Sequence, residues 1–122
     1  MAKKILIVDD EPDIIKVLAR RLQEQSYEVS TALDANEALL KIRQGAPDLI
    51  ILDIMMPGTS GNEFAQRLKN DKSTSKIPII FLSALQTKEE EQKQGGFVGG
   101  NVILAKPYEI QFLIAKIEEM TN

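Results

Sequence analysis

Five short apolar runs, separated by stretches with helical spacing, constrain this chain more than any other feature. They are Lys4–Val8, Tyr27–Thr31, Leu49–Leu52, Ile79–Leu82 and Val102–Leu104. Four are nearly continuous in Ile, Val and Leu, the pattern of strands covered on both faces. The second, YEVST, alternates, which suits a strand nearer a sheet edge.

The intervening segments read as helices. Pro12 suits a first helical position, and Ile14, Ile15, Leu18 and Leu22 follow at three- and four-residue steps. Asp34 is placed to cap a second helix with Glu37 as its capping-box partner; Ala38, Leu39 and Ile42 face inward, and Gly45 with Pro47 ends it. A third helix is predicted over Gly61–Asn70, with Phe64 and Leu68 inward. The last follows Pro107 and carries Ile110, Leu113, Ile114 and Ile117 on one stripe. The fourth helical segment, Thr87–Gln94, is polar and precedes Gly95, Gly96, Gly99 and Gly100, so a short helix is predicted there. The GGFVGG stretch lacks the Lys-Ser/Thr of a phosphate-binding loop and reads as a connector.

Alternating strand and helix argues for a parallel sheet with helices on both faces and right-handed crossovers. At 122 residues without repeats or linkers, the chain reads as a single domain spanning 1–122.

Composition removes whole classes of chemistry. With no cysteine or histidine, disulfides, thiolate and imidazole metal sites, and Ser-His catalysis are excluded. A net charge of -3 gives no general reason to expect direct nucleic-acid binding. No apolar stretch approaches a signal-peptide core or membrane span, so no membrane contact and a cytoplasmic location are expected.

The polar exceptions fall at strand ends. Asp9 and Asp10 follow the first strand, Asp53 the third, Ser83 the fourth and Lys106 the fifth. In an open parallel sheet these positions share the carboxyl-terminal rim, where such folds bind ligands. In the order 2-1-3-4-5 the first and third strands are neighbours, and three carboxylates crowd one crevice. An all-oxygen donor set selects a hard cation, of which Mg²⁺ is the natural candidate. Lys106 and Ser83 complete a site suited to a dianionic, oxygen-rich group, and a carboxylate is a recognised nucleophile for phosphoryl transfer. Each residue alone reads more readily as a cap, a turn residue or a solvated charge; together they favour a site.

VDDE at Val8–Glu11, LDIMMPGTSG at Leu52–Gly61, LSA at Leu82–Ala84 and AKPY at Ala105–Tyr108, in that order along the chain, resemble the receiver domains of bacterial response regulators. The resemblance implies a flavodoxin-like, doubly wound α/β fold with a five-stranded parallel sheet in 2-1-3-4-5 order and five helices. It implies a receiver domain in two-component signalling, with Asp53 as phosphoacceptor. Asp10, Asp53 and the main-chain carbonyl of Met55 would ligate Mg²⁺ directly, and Asp9 through water. Lys106 and Ser83 would contact the phosphoryl oxygens, and the Lys106–Pro107 bond would be cis.

The implied donor is a histidine kinase or phosphotransfer protein; the implied output is an effector protein, or an output domain absent from this chain, read through the fourth-helix, fifth-strand and fifth-helix face. A phosphorylation-dependent homodimer is a further expectation. The domain is then no turnover enzyme, only a self-catalysed phosphoacceptor that slowly dephosphorylates itself. Ile103 departs from the pattern, standing where receivers commonly carry a switching aromatic. The rival reading is a degenerate receiver acting as a phosphorylation-independent binding module. A flavin or nucleotide binder would want a phosphate loop after the first strand, where two aspartates and a glutamate stand instead. An aspartyl-phosphate phosphatase would want a DxD pattern there, which Asp9-Asp10-Glu11-Pro12-Asp13 does not supply.

Overall fold

The computed structural model describes residues 2–53, 61–83, 97–98, 101–105 and 109–121. Strands β1 (Lys4–Val8), β2 (Glu28–Ala32), β3 (Leu49–Asp53), β4 (Ile79–Ser83), β5 (Phe97–Val98) and β6 (Asn101–Ala105) form one sheet, ordered β2-β1-β3-β4-β6-β5. All pairings are parallel except β5 with β6. The helices among the described residues are α1 (Pro12–Glu24), α2 (Ala35–Gln44), α3 (Gly61–Asn70) and α4 (Ile110–Thr121). The architecture is therefore the flavodoxin-like α/β type with a parallel sheet.

Side-chain alternation along the strands builds two cores. Leu6, Val8, Ile50, Leu52, Ile79 and Phe81 pack with residues of α2 and α3, among them Ala38, Ile42, Phe64 and Leu68. Ile5, Ile7, Leu49, Ile51, Ile80 and Leu82 pack with Ile15, Leu18 and Leu22 of α1 and with Leu113, Ile114 and Ile117 of α4. Every residue of β3 is buried, which is why its sequence shows no polar alternation.

Helix starts follow the predicted chemistry. Pro12 opens α1 with no side-chain cap, its missing N–H being one that a first turn leaves unbonded anyway. At α2 the Asp34 carboxylate accepts from the Glu37 N–H at 2.8 Å, and Glu37 reaches back to the Leu33 N–H at 3.2 Å. The reciprocal pair forms one residue earlier than the usual box, satisfying a donor just outside the helix.

Two features depart from expectation. Among the described residues the sheet has six strands rather than five, because Phe97–Val98 pairs antiparallel with Val102 and Asn101. The segment read as a plain connector thus supplies a strand; two residues show no periodicity, and the glycines around them masked it. The second departure is Ser26, which takes a left-handed backbone with φ of 70°. It closes α1: its N–H bonds to the Gln23 carbonyl and the Tyr27 N–H to the Leu22 carbonyl, a Schellman pattern that usually employs glycine. The predicted helix Thr87–Gln94 and the Lys106–Pro107 bond lie outside the described residues.

Candidate functional site

Register carries the acidic residues together. In the β1–β3 pair Val8 stands beside Leu52, so the next residue of each strand line, Asp9 and Asp53, fall side by side at the carboxyl-terminal rim. The Asp9 N–H still bonds to the Ala32 carbonyl at 3.1 Å, which fixes the chain just beyond β1. The Asp9 carboxylate accepts from the Glu11 N–H, also at 3.1 Å, and this local Asx turn leads into α1.

Asp9, Asp10 and Asp53 each offer a carboxylate oxygen, and these oxygens lie within 4.8 Å of one another. Asp9 is only 2% exposed and Asp53 only 6%, while Asp10 is half-buried. Three carboxylates so close repel, and withdrawal from water strengthens the repulsion. Oxygens at this spacing can share one hard cation, directly or through its retained water, and among the described residues no nitrogen or sulfur donor enters the group. The donor set therefore fits a divalent cation such as Mg²⁺.

The neighbouring strands bring further predicted residues to this rim. Asp53 pairs with Leu82, and Ser83 follows it at the end of β4. Ser83 pairs with Ala105, the last residue of β6. Lys106 is next in sequence; it and Met55 lie outside the described residues. Ile103 sits in β6 opposite Phe81. The sequence reading overlooked that Glu11 serves through its backbone rather than its side chain. An aspartate two residues before a helix-starting segment is the signal that would have shown it.

The family model of the response regulator receiver domain matches residues 5–118. The chain is 42% identical over 118 residues to the phosphate regulon transcriptional regulatory protein PhoB of Pseudomonas aeruginosa, covering 97% of this chain and 51% of PhoB. It is 36% identical over 122 residues to the response regulator PleD of Caulobacter vibrioides, covering 100% of this chain and 27% of PleD. The chain thus spans about half, or about a quarter, of these relatives' length. Among solved structures it is similar to the chemotaxis protein CheY4 of Vibrio cholerae, with a TM-score of 0.85 and 32% identity over 98% of this chain and 99% of that one. It also matches the response regulator TrrA of Thermotoga maritima in complex with Mg²⁺-BeF, with a TM-score of 0.80 and 36% identity over 97% and 98% of the two chains.

Proposed function

Because this chain belongs to the response regulator receiver domain family, we propose that it accepts a phosphoryl group on Asp53 from a phosphohistidine donor. The observation that carries this reading is the meeting of Asp9, Asp10 and Asp53 within 4.8 Å at the carboxyl-terminal rim. A site that concentrates like charge at a cost in stability has use for a bound cation and a charged reactant.

The Asp53 carboxylate oxygen attacks phosphorus in line; the O–P bond forms as the N–P bond of the donor histidine breaks, and the imidazole leaves with the electron pair. Asp10 and Asp53, with the Met55 carbonyl, would hold a divalent cation, which would supply charge neutralisation. Asp9 would act on it through water, and the Glu11 N–H holds the Asp9 carboxylate in place. Lys106 pairs with one phosphoryl oxygen and Ser83 donates its hydroxyl to another. Water would later cleave the acyl phosphate, and slowly: Met55 and Leu85, two residues beyond Asp53 and Ser83, match the positions that flank the attacking water in receivers and are apolar in this sequence. The domain acts as a self-catalysed phosphoacceptor that slowly dephosphorylates itself rather than as a turnover enzyme.

The donor is a histidine kinase or a phosphotransfer protein, and the output is a protein effector or an attached output domain. The Mg²⁺-BeF complex of TrrA supports the cation by analogy. PhoB, a transcriptional regulatory protein of which this chain covers 51%, supports an attached output domain by analogy.

The test is intact-mass measurement after incubation with acetyl phosphate, with Mg²⁺ or with EDTA. One added phosphoryl group is expected with Mg²⁺, none with EDTA and none in Asp53→Asn. A protein that gains no mass with any donor is the degenerate binding module instead.

A further inference from the structure

Charge is spread unevenly over this acidic chain, and its positive part collects where α2 and α3 end. Lys41 and Arg43 stand in the last turn of α2, and Arg67 and Lys69 in the last turn of α3. Lys72 and Lys76 follow in the turn that leads to β4. Segments 41–48 and 67–76 thus set six cations against two carboxylates, in a chain whose net charge is -3. Both helices pack on the same face of the sheet. Their ends share one field: hydrogen bonds from the Ser73 N–H and hydroxyl hold the Asp71 carboxyl below its ordinary value, and the charge of Arg43 adds to that.

The helix dipole favours a base in any last turn, but it does not explain this distribution. α1 ends with Arg21 followed by Glu24, while the last turn of α4 has no base and carries Glu118 and Glu119. Lys72 and Lys76 lie beyond the helix altogether. Nor do the two carboxylates neutralise the group. Asp48 accepts from the Lys4 N–H at 2.7 Å, and Asp71 accepts from Ser73 at 2.9 and 2.8 Å. Among the described residues none of the six cations forms an ion pair.

We propose that this basic rim docks an acidic segment of a partner protein, one whose carboxylates flank an apolar side chain. Leu40 supplies the apolar ground: it is 57% exposed and lies three residues before Arg43, on the same side of α2. A partner's apolar side chain covers Leu40 while its carboxylates reach Arg43, whose planar fork suits them, and the lysines beyond. Nucleic acid fits less well. No aromatic residue stands in either segment to stack on a base, and the rest of the chain is acidic and repels a long polyanion. A short acidic segment meets only the local charge, since screening confines the field to about 8 Å at physiological salt. The rim lies at the opposite end of β3 from the three aspartates, so docking leaves the acidic site free and does not rest on its phosphorylation.

Fluorescence anisotropy, without Mg²⁺ or phosphoryl donor, tests this. The probe is a labelled peptide of glutamates and aspartates around one central leucine; its twin carries serine in place of the leucine. The native chain should bind the leucine peptide in about 0.1 M salt and release it in about 1 M, where the Debye length falls from ~10 to ~3 Å. Arg43→Glu with Lys72→Glu should weaken binding by about tenfold or more. Lys16→Glu with Arg20→Glu on α1 changes the net charge equally and should leave binding within about twofold. Leu40→Ser should bring the leucine peptide down to the affinity of its serine twin. All these positions are exposed, and acetyl phosphate labelling of each variant checks that the fold survives. Absence of binding overturns the proposal, as does binding indifferent to the Arg43 and Lys72 reversals, or equal affinity of the native chain for the two peptides. Tighter binding of labelled oligothymidylate or of phosphatidylserine vesicles would assign the rim to nucleic acid or lipid, and would overturn it as well.

Discussion

Asp48, at the amino-terminal rim of the sheet, accepts a 2.7 Å hydrogen bond from the Lys4 N–H, and its own N–H donates to the Lys4 carbonyl at 2.8 Å. Asp53, at the other end of the same strand, sits with two more carboxylates. The contrast extends along both rims. On the amino-terminal side Lys3 Nζ donates to Thr121 Oγ1 at 2.8 Å, and the buried Thr74 hydroxyl donates to the Leu68 carbonyl at 2.6 Å. There each of these polar groups is completed from within, and the result is stability. On the carboxyl-terminal side β3 and the turn after β1 hold three like charges together, a set that a cation would neutralise. Strand ends are thus equivalent in backbone geometry but not in purpose: one rim closes the fold, the other gathers like charge at an open crevice.

The sharpest way to break this comparison is to remove charge from the open rim. Without divalent ions, Asp53→Asn should stabilise the protein by about 1 kcal/mol by relieving like-charge repulsion. Millimolar Mg²⁺ should then stabilise the native chain, by about 2.7 kcal/mol if the ion stands at 100 times its dissociation constant, and leave the variant nearly unmoved. Urea denaturation in EDTA and in Mg²⁺ reads both effects; a native chain indifferent to Mg²⁺ would make the rim an ordinary set of caps.

Removing a carboxylate at the closed rim should have the opposite sign. Asp48→Ala removes the acceptor for the Lys4 N–H and should cost about 0.5–1.5 kcal/mol, equally with and without Mg²⁺. Ser26→Gly, where α1 returns to β2, should raise stability by roughly 0.5 kcal/mol. The left-handed backbone costs a non-glycine residue about 1–2 kcal/mol, and glycine's greater freedom in the unfolded chain offsets part of that relief. Thermal denaturation showing a small rise in Tm would confirm it; a fall would mean that the Ser26 side chain contributes more than its backbone costs.

The smallest effect concerns Asp71, in the turn between α3 and β4. Hydrogen bonds from the Ser73 backbone N–H, and then from its hydroxyl, hold this carboxyl below its ordinary value of 3.8. A lowered folded-state value means that the contribution to stability is fully present above pH 3.8 and is lost as pH falls through the lower folded value. Carbonyl-detected NMR titration should place the Asp71 midpoint below 3.8, and Ser73→Ala should move it back toward that value.

Much of this organisation is legible in the sequence because burial writes it there. β1 and β3 announce themselves as unbroken apolar runs since both their faces are covered. Pro12 and the Asp34–Glu37 pair mark helix starts by local chemistry that needs no tertiary information. The acidic group follows once β1 and β3 are taken as neighbours, because the aspartates directly follow the apolar runs. Three things stay hidden for physical reasons. Ser26 adopts a conformation that its side chain disfavours, so nothing in its identity signals the end of α1. Glu11 acts through a backbone group that every residue but proline possesses. Phe97–Val98 is too short for any period, although two glycines between Val98 and Asn101 are a recognised hairpin signal.

That last pair of residues has a consequence for how the protein behaves in a crowded solution. A parallel sheet ends on a strand whose outward amides and carbonyls could template another chain, the route by which exposed strands seed aggregates. Here β5 occupies part of that outer line along β6, pairing at Val102 and Asn101, and itself presents only two residues to any newcomer. At the far side β2 meets solvent with Glu28 and Ser30, a charge and a hydroxyl in place of continuous apolar surface. Both flanks of the sheet are thereby poor templates, and the chain can be concentrated without one sheet growing onto the next.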